Sequence, residues 1–582
     1  MPNQDSKFRI ALLGGGPSSL FVLKKLLGTK THIEVDIFER NKEIGPGMPY
    51  SEDGANLEHV TNVSDNEIPK IARSIASYVG HVTDKKRALY GVNEDNFSRF
   101  KVLPRLFFGQ YLSDQFKLLQ KKAQKTGITV RTHTGLQVTD VVDRPEDSTV
   151  EVLLEDGRAF TFHAVVICTG HNWVKTYEDK IPGFYDSPYP PSKLELPINH
   201  AVALKGSSLT AIDAIRTLAR ANGKFVKKED EKLVFIPAKG SEKFKIVMHS
   251  RNGLLPAVRF HLRQPRLSKE SLLSKRQIDN NKKKNGGFLS LDYVFEENFK
   301  KGFKDSDAKF YKRIKDMSLE DFVDEMMSMR QDKDPFQLFR EEYAEAERSI
   351  ENEKSIFWKE MLAELSFIIN YPAKYFSAED MMRLKQVLMP LMSLVIAFAP
   401  QKSCEELFAL HDAGRLDIIS VGSDSEIIPH PEGGVYFKYV DEQGKNHKKR
   451  FHTYVDCAGQ RALSVQDLPF PSLLKKRVVS QATLKFKSME AGRNLLEEGD
   501  DQVIQNSAGD YFYIVPGIAI NDHFQIVNEY GMSNDRLYIM AVPYISGYNP
   551  DYSGLDFSEQ AANQIVEKMD EVLGQQELQA SV

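Results

Sequence analysis

The sequence predicts an α/β fold made of two copies of a strand–turn–helix–strand unit, the second interrupted by a helical insertion. Three observations predict it. The first is the stretch Phe8–Arg40, where the apolar run Ile10-Ala11-Leu12-Leu13 enters Gly14-Gly15-Gly16-Pro17-Ser18-Ser19. A helix-patterned segment follows (Leu20, Phe21, Leu23, Leu26, Leu27) and stops at Gly28, and Ile33–Phe38 then leads to Glu39 and Arg40. The second is a like stretch further on. Ala201–Lys205 enters Gly206-Ser207-Ser208-Leu209-Thr210-Ala211, the helix pattern Ile212–Ala221 closes at Asn222-Gly223, and Phe244–His249 ends at Ser250-Arg251. The third is a repeated ending, in which a hairpin delivers the chain into a buried strand that stops at a small residue and a glycine. It occurs as Ala164–Cys168 with Thr169-Gly170-His171, and again as Arg450–Val455 with Asp456-Cys457-Ala458-Gly459.

Each glycine turn has a chemical use. In the first, Gly14 permits the tight turn, Gly16 lets the backbone approach a pyrophosphate, and Pro17 and Ser18 open a helix whose N–H groups and dipole face the phosphates. Ser19 takes the third glycine position, where a small residue still allows close helix–strand packing, and Glu39 lies where a carboxylate accepts hydrogen bonds from a ribose. The chain therefore reads as two Rossmann-like dinucleotide-binding domains with a helical insertion. In the second turn Ser208 replaces the glycine that would approach the phosphates. Gly206 and Ser207 complete that turn, and Arg251, read as the counterpart of Glu39, suits a 2′-phosphate and favours NADPH, with NADH also usable. The expected division is 1–198 and 462–582 for the first domain, 199–253 and 404–461 for the second, and 254–403 for the insertion.

Between these landmarks, Gly45–Ser51 is too rich in Gly and Pro for helix or central strand, and Asn62–Pro69 is a second polar loop. A helix is expected from Leu103–Leu112 to about Thr126-Gly127, with Arg105 at its start beside aromatic residues. Strands follow at Ile128–Thr132, Gln137–Val142, Val150–Leu154 and Ala159–Phe162. The insertion shows long helical patterns at Leu319–Met329, Pro335–Asn352, Ser355–Ile369 and Ala378–Ala399, the last kinked at Pro390. Its front end is basic, and Arg259 and Arg263 are candidates for clamping a substrate carboxylate. The insertion should then cap the cleft between the two dinucleotide domains. Near the end, Arg536–Gly547 reads as a strand and a closing glycine turn, a helix runs from about Asp556 to Leu573, and the tail Gln575–Val582 is expected to be disordered.

Composition narrows the functional classes. A hydrophobic share of 41%, a charged share of 27% and a net charge of -4 over 582 residues suit a soluble globular protein and point to neither nucleic acid nor an anionic membrane. The polar start and the shortness of Leu391–Ala399 predict a cytoplasmic protein without a membrane span. Cys168, Cys404 and Cys457 form no CxxC pair, against a disulfide framework or a dithiol–flavin relay. No metal-ligand spacing and no Ser/His/Asp arrangement is present, so no catalytic acid or base is assigned.

With both turns, the paired Cys-Thr-Gly and Cys-Ala-Gly segments and Gly547 in hand, the chain resembles two-dinucleotide-binding-domain flavoproteins. Gly45–Ser51, Asn62–Pro69 and Leu103–Leu112 look, more narrowly, like a bacterial FAD/NAD(P)-binding family related to flavin-dependent N-hydroxylating monooxygenases. The resemblance implies FAD in the first unit, with Gly14, Gly16, Ser19 and Glu39 on its ADP half and Gly47, Met48, Pro49, Tyr50 and Asn62 near the flavin ring. It also implies Arg105, Val138, Thr169 and Gly170 around that cofactor, His171 beside it, and Gly547 closing the site. The region between the units, Pro182–Pro190, lacks the FxGxxxH pattern often found in single-component flavin monooxygenases. Three functions follow as expectations: an NADPH-dependent monooxygenase acting on a small amine or amino acid, an FAD-dependent NAD(P)H reductase without oxygen insertion, and an FAD-binding regulatory protein.

Overall fold

A computed structural model describes residues 7–29, 33–93, 97–171, 173–262, 272–551 and 554–580. Its first sheet has the order Gln525–Val527, Ser533–Ile539, Ala164–Ile167, Phe8–Leu13, Ile33–Glu39, Thr129–Thr134, and is parallel apart from the antiparallel first pair. Residues from both ends of the chain thus build one sheet. Ile10, Leu12, Val35, Ile37, Val165 and Val166 are fully buried, as continuous apolar runs in a sheet covered on both faces require. The helix Pro17–Leu26 packs against the C-terminal helix Gly554–Ala580, joined by Lys24 to Glu559.

The second sheet repeats the plan in the order Phe184–Tyr185, Thr453–Asp456, Ala201–Lys205, Lys245–Ser250, Leu416–Ser420, all parallel. Each sheet carries a three-stranded antiparallel partner, Val138–Arg144 with Thr149–Leu154 and Ala159–Phe162 in the first, Glu426–Pro429 with Val435–Val440 and Asn446–Phe451 in the second. The segment expected as one strand over Arg450–Val455 is therefore two, since His452 turns the chain from the hairpin into the parallel sheet. The second-unit helix is longer than its pattern, Leu209–Asn222, and Gly223 opens a hairpin with Leu233–Pro237 instead of a plain helix end.

The insertion is helical, including Leu319–Gln331, Pro335–Glu351 and Phe357–Ile369. The expected kink at Pro390 lies one turn earlier, as a π-helical stretch over Leu384–Leu388. Pro390 has no N–H to offer the preceding turn, and a widened turn accommodates the gap. A third small sheet, Gln481–Lys485, Tyr511–Ile518 and Val503–Gln505, shares a hydrophobic core with the insertion through Leu484, Phe486, Tyr513 and Val515. Phe367 reaches the core of the first sheet, and Phe336, Phe339 and Phe398 join that of the second. The insertion thus packs on both parallel-sheet units. At the chain's end the tail expected to be disordered instead continues the helix to Ala580, a stretch whose Gln, Glu, Leu and Ala residues favour helix, while Ser581 and Val582 lie outside the described residues.

Candidate dinucleotide sites and the junction between them

The two turns superpose in their hydrogen bonding. Gly14 and Gly206 both have φ of +106°, and a Cβ on either would lie 2.7 Å and 2.8 Å from the carbonyl oxygens of Cys168 and Cys457 respectively. Only glycine satisfies both the dihedral and the space. Gly14 N–H donates to Phe38 O at 2.8 Å and Gly206 N–H to His249 O at 2.7 Å, while Cys168 N–H and Cys457 N–H each donate back to the entering strand at 2.8 Å. This pairing fixes the register. Phe38 matches His249, so Glu39 matches Ser250, and Arg251 matches Arg40, one residue beyond the position expected of it.

Around the first turn, the Glu39 carboxylate accepts from Gly15 N–H at 2.7 Å and Asn41 N–H at 2.8 Å. Ser19 is fully buried and donates to Gly16 O at 2.8 Å, and Ser18 Oγ lies 3.3 Å from Ser558 Oγ of the C-terminal helix. Gly16 caps the helix, Pro17 occupies its first turn, and Gly47, at φ of +57°, folds back until a Cβ there would lie 3.3 Å from Gly16 Cα. A cavity of about 490 Å³ opens beside this apposition, lined by Glu39, Pro46, Gly47, Tyr50, Tyr90 and Gln110. Met48, Pro49 and Tyr50 form a single 3-10 turn. Arg40 is exposed, and Val138 starts the hairpin sheet half-buried.

Beyond the end of the adjacent strand, the side chain of Thr169 buries an Oγ1 with no hydrogen-bond partner, and Ser546 buries a like Oγ. A Cβ on Gly170 would meet nothing within 4 Å. Buried hydroxyls without partners are costly, so they mark positions where a polar ligand completes the bonding. Together with the glycine apposition at Gly16 and Gly47, they fit FAD. Burial lowers the His171 pKa, which keeps its imidazole neutral. Gly547 has a packing role, since a Cβ there would lie 2.1 Å from Pro516 O, and it follows the short helix Val542–Ile545 instead of forming a strand-to-helix turn.

In the second unit, Ser208 has φ and ψ of -87° and -165°, against -82° and -170° at Gly16, so the serine follows the same backbone path. It is exposed and makes no capping bond of its own, while Ser207 Oγ donates to Leu254 O at 2.7 Å. Arg251 is exposed at the strand end and Ser250 Oγ is buried without a partner.

Two arginines stand elsewhere than expected. Arg105 does open its helix, but its Nη1 donates to Asp213 Oδ2 of the second-unit helix at 2.5 Å and its Nε to Val60 O at 2.9 Å. Tyr189 Oη donates to the same Asp213 oxygen at 2.7 Å. Burial alone would raise the Asp213 pKa, but the Arg105 guanidinium and His59 hold it below the usual carboxylate range. Arg259 is 4% exposed and donates to Asn62 O, Ser64 Oγ and Glu67 Oε2, so it staples the start of the insertion to the first unit and cannot clamp a substrate. Asn62 accordingly lies in the strand Val60–Ser64, and Arg263 falls outside the described residues. Sequence reasoning missed Asp213, Tyr189, His59 and Glu67. For Asp213 a signal existed, a carboxylate inside the apolar helix face Ile212-Asp213-Ala214-Ile215.

Residues 11–172 match the model of a family described as FAD-NAD(P)-binding, and residues 274–396 that of a YdhS-like middle domain. The match over residues 11–172 covers the first glycine turn and its sheet, and places an FAD-NAD(P)-binding domain there. Its relative over most of its length is a protein of Escherichia coli (strain K12) described as uncharacterized protein YdhS, 27% identical over 504 residues, covering 85% of this chain and 89% of the relative. Among solved structures it is similar to the ornithine N-hydroxylase of Kutzneria sp. 744 (12% identity, 97% of this chain and 99% of that one, TM-score 0.44). It is also similar to ornithine hydroxylase PvdA of Pseudomonas aeruginosa (10%, 98% and 100%, TM-score 0.47). Among the described residues no helix is long and apolar enough to cross a membrane.

Proposed function

We propose that the protein is an FAD-dependent NAD(P)H oxidoreductase, of the flavin monooxygenase type, acting on a small amine or amino acid. The observation that carries this reading is the pair of equivalent glycine turns, Gly14 and Gly206, each at the strand ends of its own parallel sheet and joined through a buried junction. Ligands of open α/β sheets bind at such ends. Bound FAD would take a hydride from NAD(P)H and deliver electrons to a further acceptor.

The chain's own residues set the conditions for that chemistry. Glu39 and Gly16 would hold the ADP half, with Gly47 packed against Gly16, Thr169 and Ser546 would offer hydroxyls to the polar groups of the cofactor, and the exposed Ser208 with the first turn of Leu209–Asn222 would receive the second pyrophosphate. Cys168, Cys404 and Cys457 are buried and unpaired, and burial pushes each thiol up, so no dithiol of this chain relays electrons. The insertion, whose Phe367 joins the core of the first unit and whose Phe336 and Phe339 join that of the second, would limit water in the space between them. Asn370 ties it to the segment after Gly547, where Asn549 Nδ2 donates to Asn370 O at 2.6 Å. The amine or amino acid follows from the likeness to N-hydroxylating monooxygenases. A carboxylate on the substrate loses the support that Arg259 would have given.

Anaerobic mixing of the FAD-loaded protein with NADPH, then with oxygen in the presence of candidate amines, tests the reading. Flavin reduction, followed by oxygen uptake matched to a hydroxylated product, is the expected result. Immediate reoxidation with hydrogen peroxide and no product would favour a reductase, and absence of reduction a binding protein.

A further inference from the structure

The helix that starts at the second glycine turn, Leu209–Asn222, is a rigid body with two ends of different use. Its N-terminus faces the second nucleotide site, and about one turn further, roughly 6 Å along the axis, Asp213 enters the first unit. There the Asp213 carboxylate is 5% exposed and takes the Arg105 guanidinium at 2.5 Å and the Tyr189 hydroxyl at 2.7 Å. Arg105 is itself fixed twice to the first unit, by its N–H to His59 O at 3.0 Å and its Nε to Val60 O at 2.9 Å. His59 Nε2 lies 3.2 Å from Asp213 O and 3.2 Å from Thr217 Oγ1, and Thr217 Oγ1 donates to Glu58 at 2.8 Å. On the other side Tyr189 packs 5.6 Å from Trp173, which lies 6.2 Å from His171, next to Gly170. Trp173 buries an indole N–H without a partner.

Asp213 therefore joins the helix that follows the second glycine turn to the strand Val60–Ser64 through Arg105, and through Tyr189 and the Trp173 ring to His171, which follows the strand paired with the first glycine turn. A buried ion pair costs desolvation that an apolar contact avoids, so stability is a weak reason for having one here. Its directional bonds select one relative placement of the two units, where an apolar contact would accept several. Resting on the oxidoreductase reading above, we propose that Asp213 is a positioning residue for hydride transfer, which through Arg105 and Tyr189 sets the distance and angle between nicotinamide and flavin while touching neither.

The test is anaerobic stopped-flow reduction of the FAD-loaded protein by NADPH in wild type, Asp213→Asn, Tyr189→Phe and the double variant Arg105→Met/Asp213→Leu. The double variant removes both charges and keeps the fold where a single loss leaves a buried charge unpaired. Asp213→Asn and the double variant should slow reduction at saturating NADPH by tenfold to on the order of a hundredfold, because a displacement of about 1 Å suffices for that. NADPH affinity should stay within about threefold and FAD content should match wild type, since neither site loses a contact. Tyr189→Phe, which removes one bond and no charge, should slow the same step less. A double variant with wild-type rate, or one in which only NADPH affinity falls, would overturn the positioning role while leaving the oxidoreductase reading intact. A wild-type protein that neither NADPH nor NADH reduces would overturn both.

Discussion

The two dinucleotide units share a backbone and differ in what holds it. In the first, an acid organises the turn, with Glu39 accepting from Gly15 N–H while remaining beside the cavity where a ribose would lie. In the second, the turn's own Ser207 hydroxyl binds Leu254 O, and the position matching Glu39 is Ser250. A carboxylate there would repel a 2′-phosphate, whereas a serine followed by an exposed arginine admits one. The strand ends differ in kind as well. Phe38 stacks on His133 at 4.6 Å, whereas its counterpart His249 stacks on Phe437 at 4.0 Å. The two units share what the glycine turn requires geometrically and differ in the chemistry around it.

The largest effects should come from breaking the shared geometry. Gly14→Val and Gly206→Val each put a side chain against a cysteine carbonyl at a dihedral that L-residues avoid, at a cost of about 3–5 kcal/mol. Gly14→Val should lose FAD, seen in the absorbance of the purified protein, and Gly206→Val should keep FAD but lose reduction by NADPH. A Gly206→Val protein that sheds its flavin but still binds NADPH in a direct titration would reverse the assignment of the units.

Acid should separate the units next. Burial pushes the His249 pKa from 6.5 down to about 4. Between those values the unfolded chain binds a proton that the folded chain refuses. The stability is thus full above pH 6.5 and is lost as pH falls toward 4, by up to about 3 kcal/mol. His249→Phe copies the first unit and should flatten the fall, measured as denaturant midpoints between pH 7 and 4. An unchanged pH profile in that variant would place the acid sensitivity elsewhere.

Cofactor preference is a smaller difference. Because Arg251 is exposed, Arg251→Ala should reduce the NADPH-to-NADH preference in flavin reduction by about tenfold, the lower end for a charge-assisted contact. Equal ratios in wild type and variant would show that the strand end does not read the 2′-phosphate. Smallest of all, Ser208→Gly restores the first unit's residue at a position whose backbone already matches it. It should move thermal stability by only a few tenths of a kcal/mol and NADPH affinity by less than about threefold. A large loss of affinity would mean that the serine hydroxyl itself binds phosphate.

Much of the fold was legible because its signals are local. The apolar runs that became Phe8–Leu13 and Ala164–Ile167, the glycine turns and the repeated hairpin-and-strand endings could each be read within a few residues. Other features depended on distant partners. The π-helical turn at Leu384–Leu388 and the split at His452 lie where a pattern seemed continuous, and the register that moves Arg251 beyond Glu39's position appears only when Gly206 bonds His249 O. Among site residues the turns were found and the junction was not.

The sequence by itself determined where the two nucleotide turns are, because a glycine with no room for a Cβ and an obligatory positive φ imposes its requirement at a single position in the chain. The tertiary structure alone decided what the charged side chains do. Arg105 meets Asp213 across 108 residues and Arg259 meets Glu67 across 192. A guanidinium has the same composition and spacing whether it clamps a ligand or closes a domain junction, and only the packing of distant elements settles which carboxylate lies within its reach.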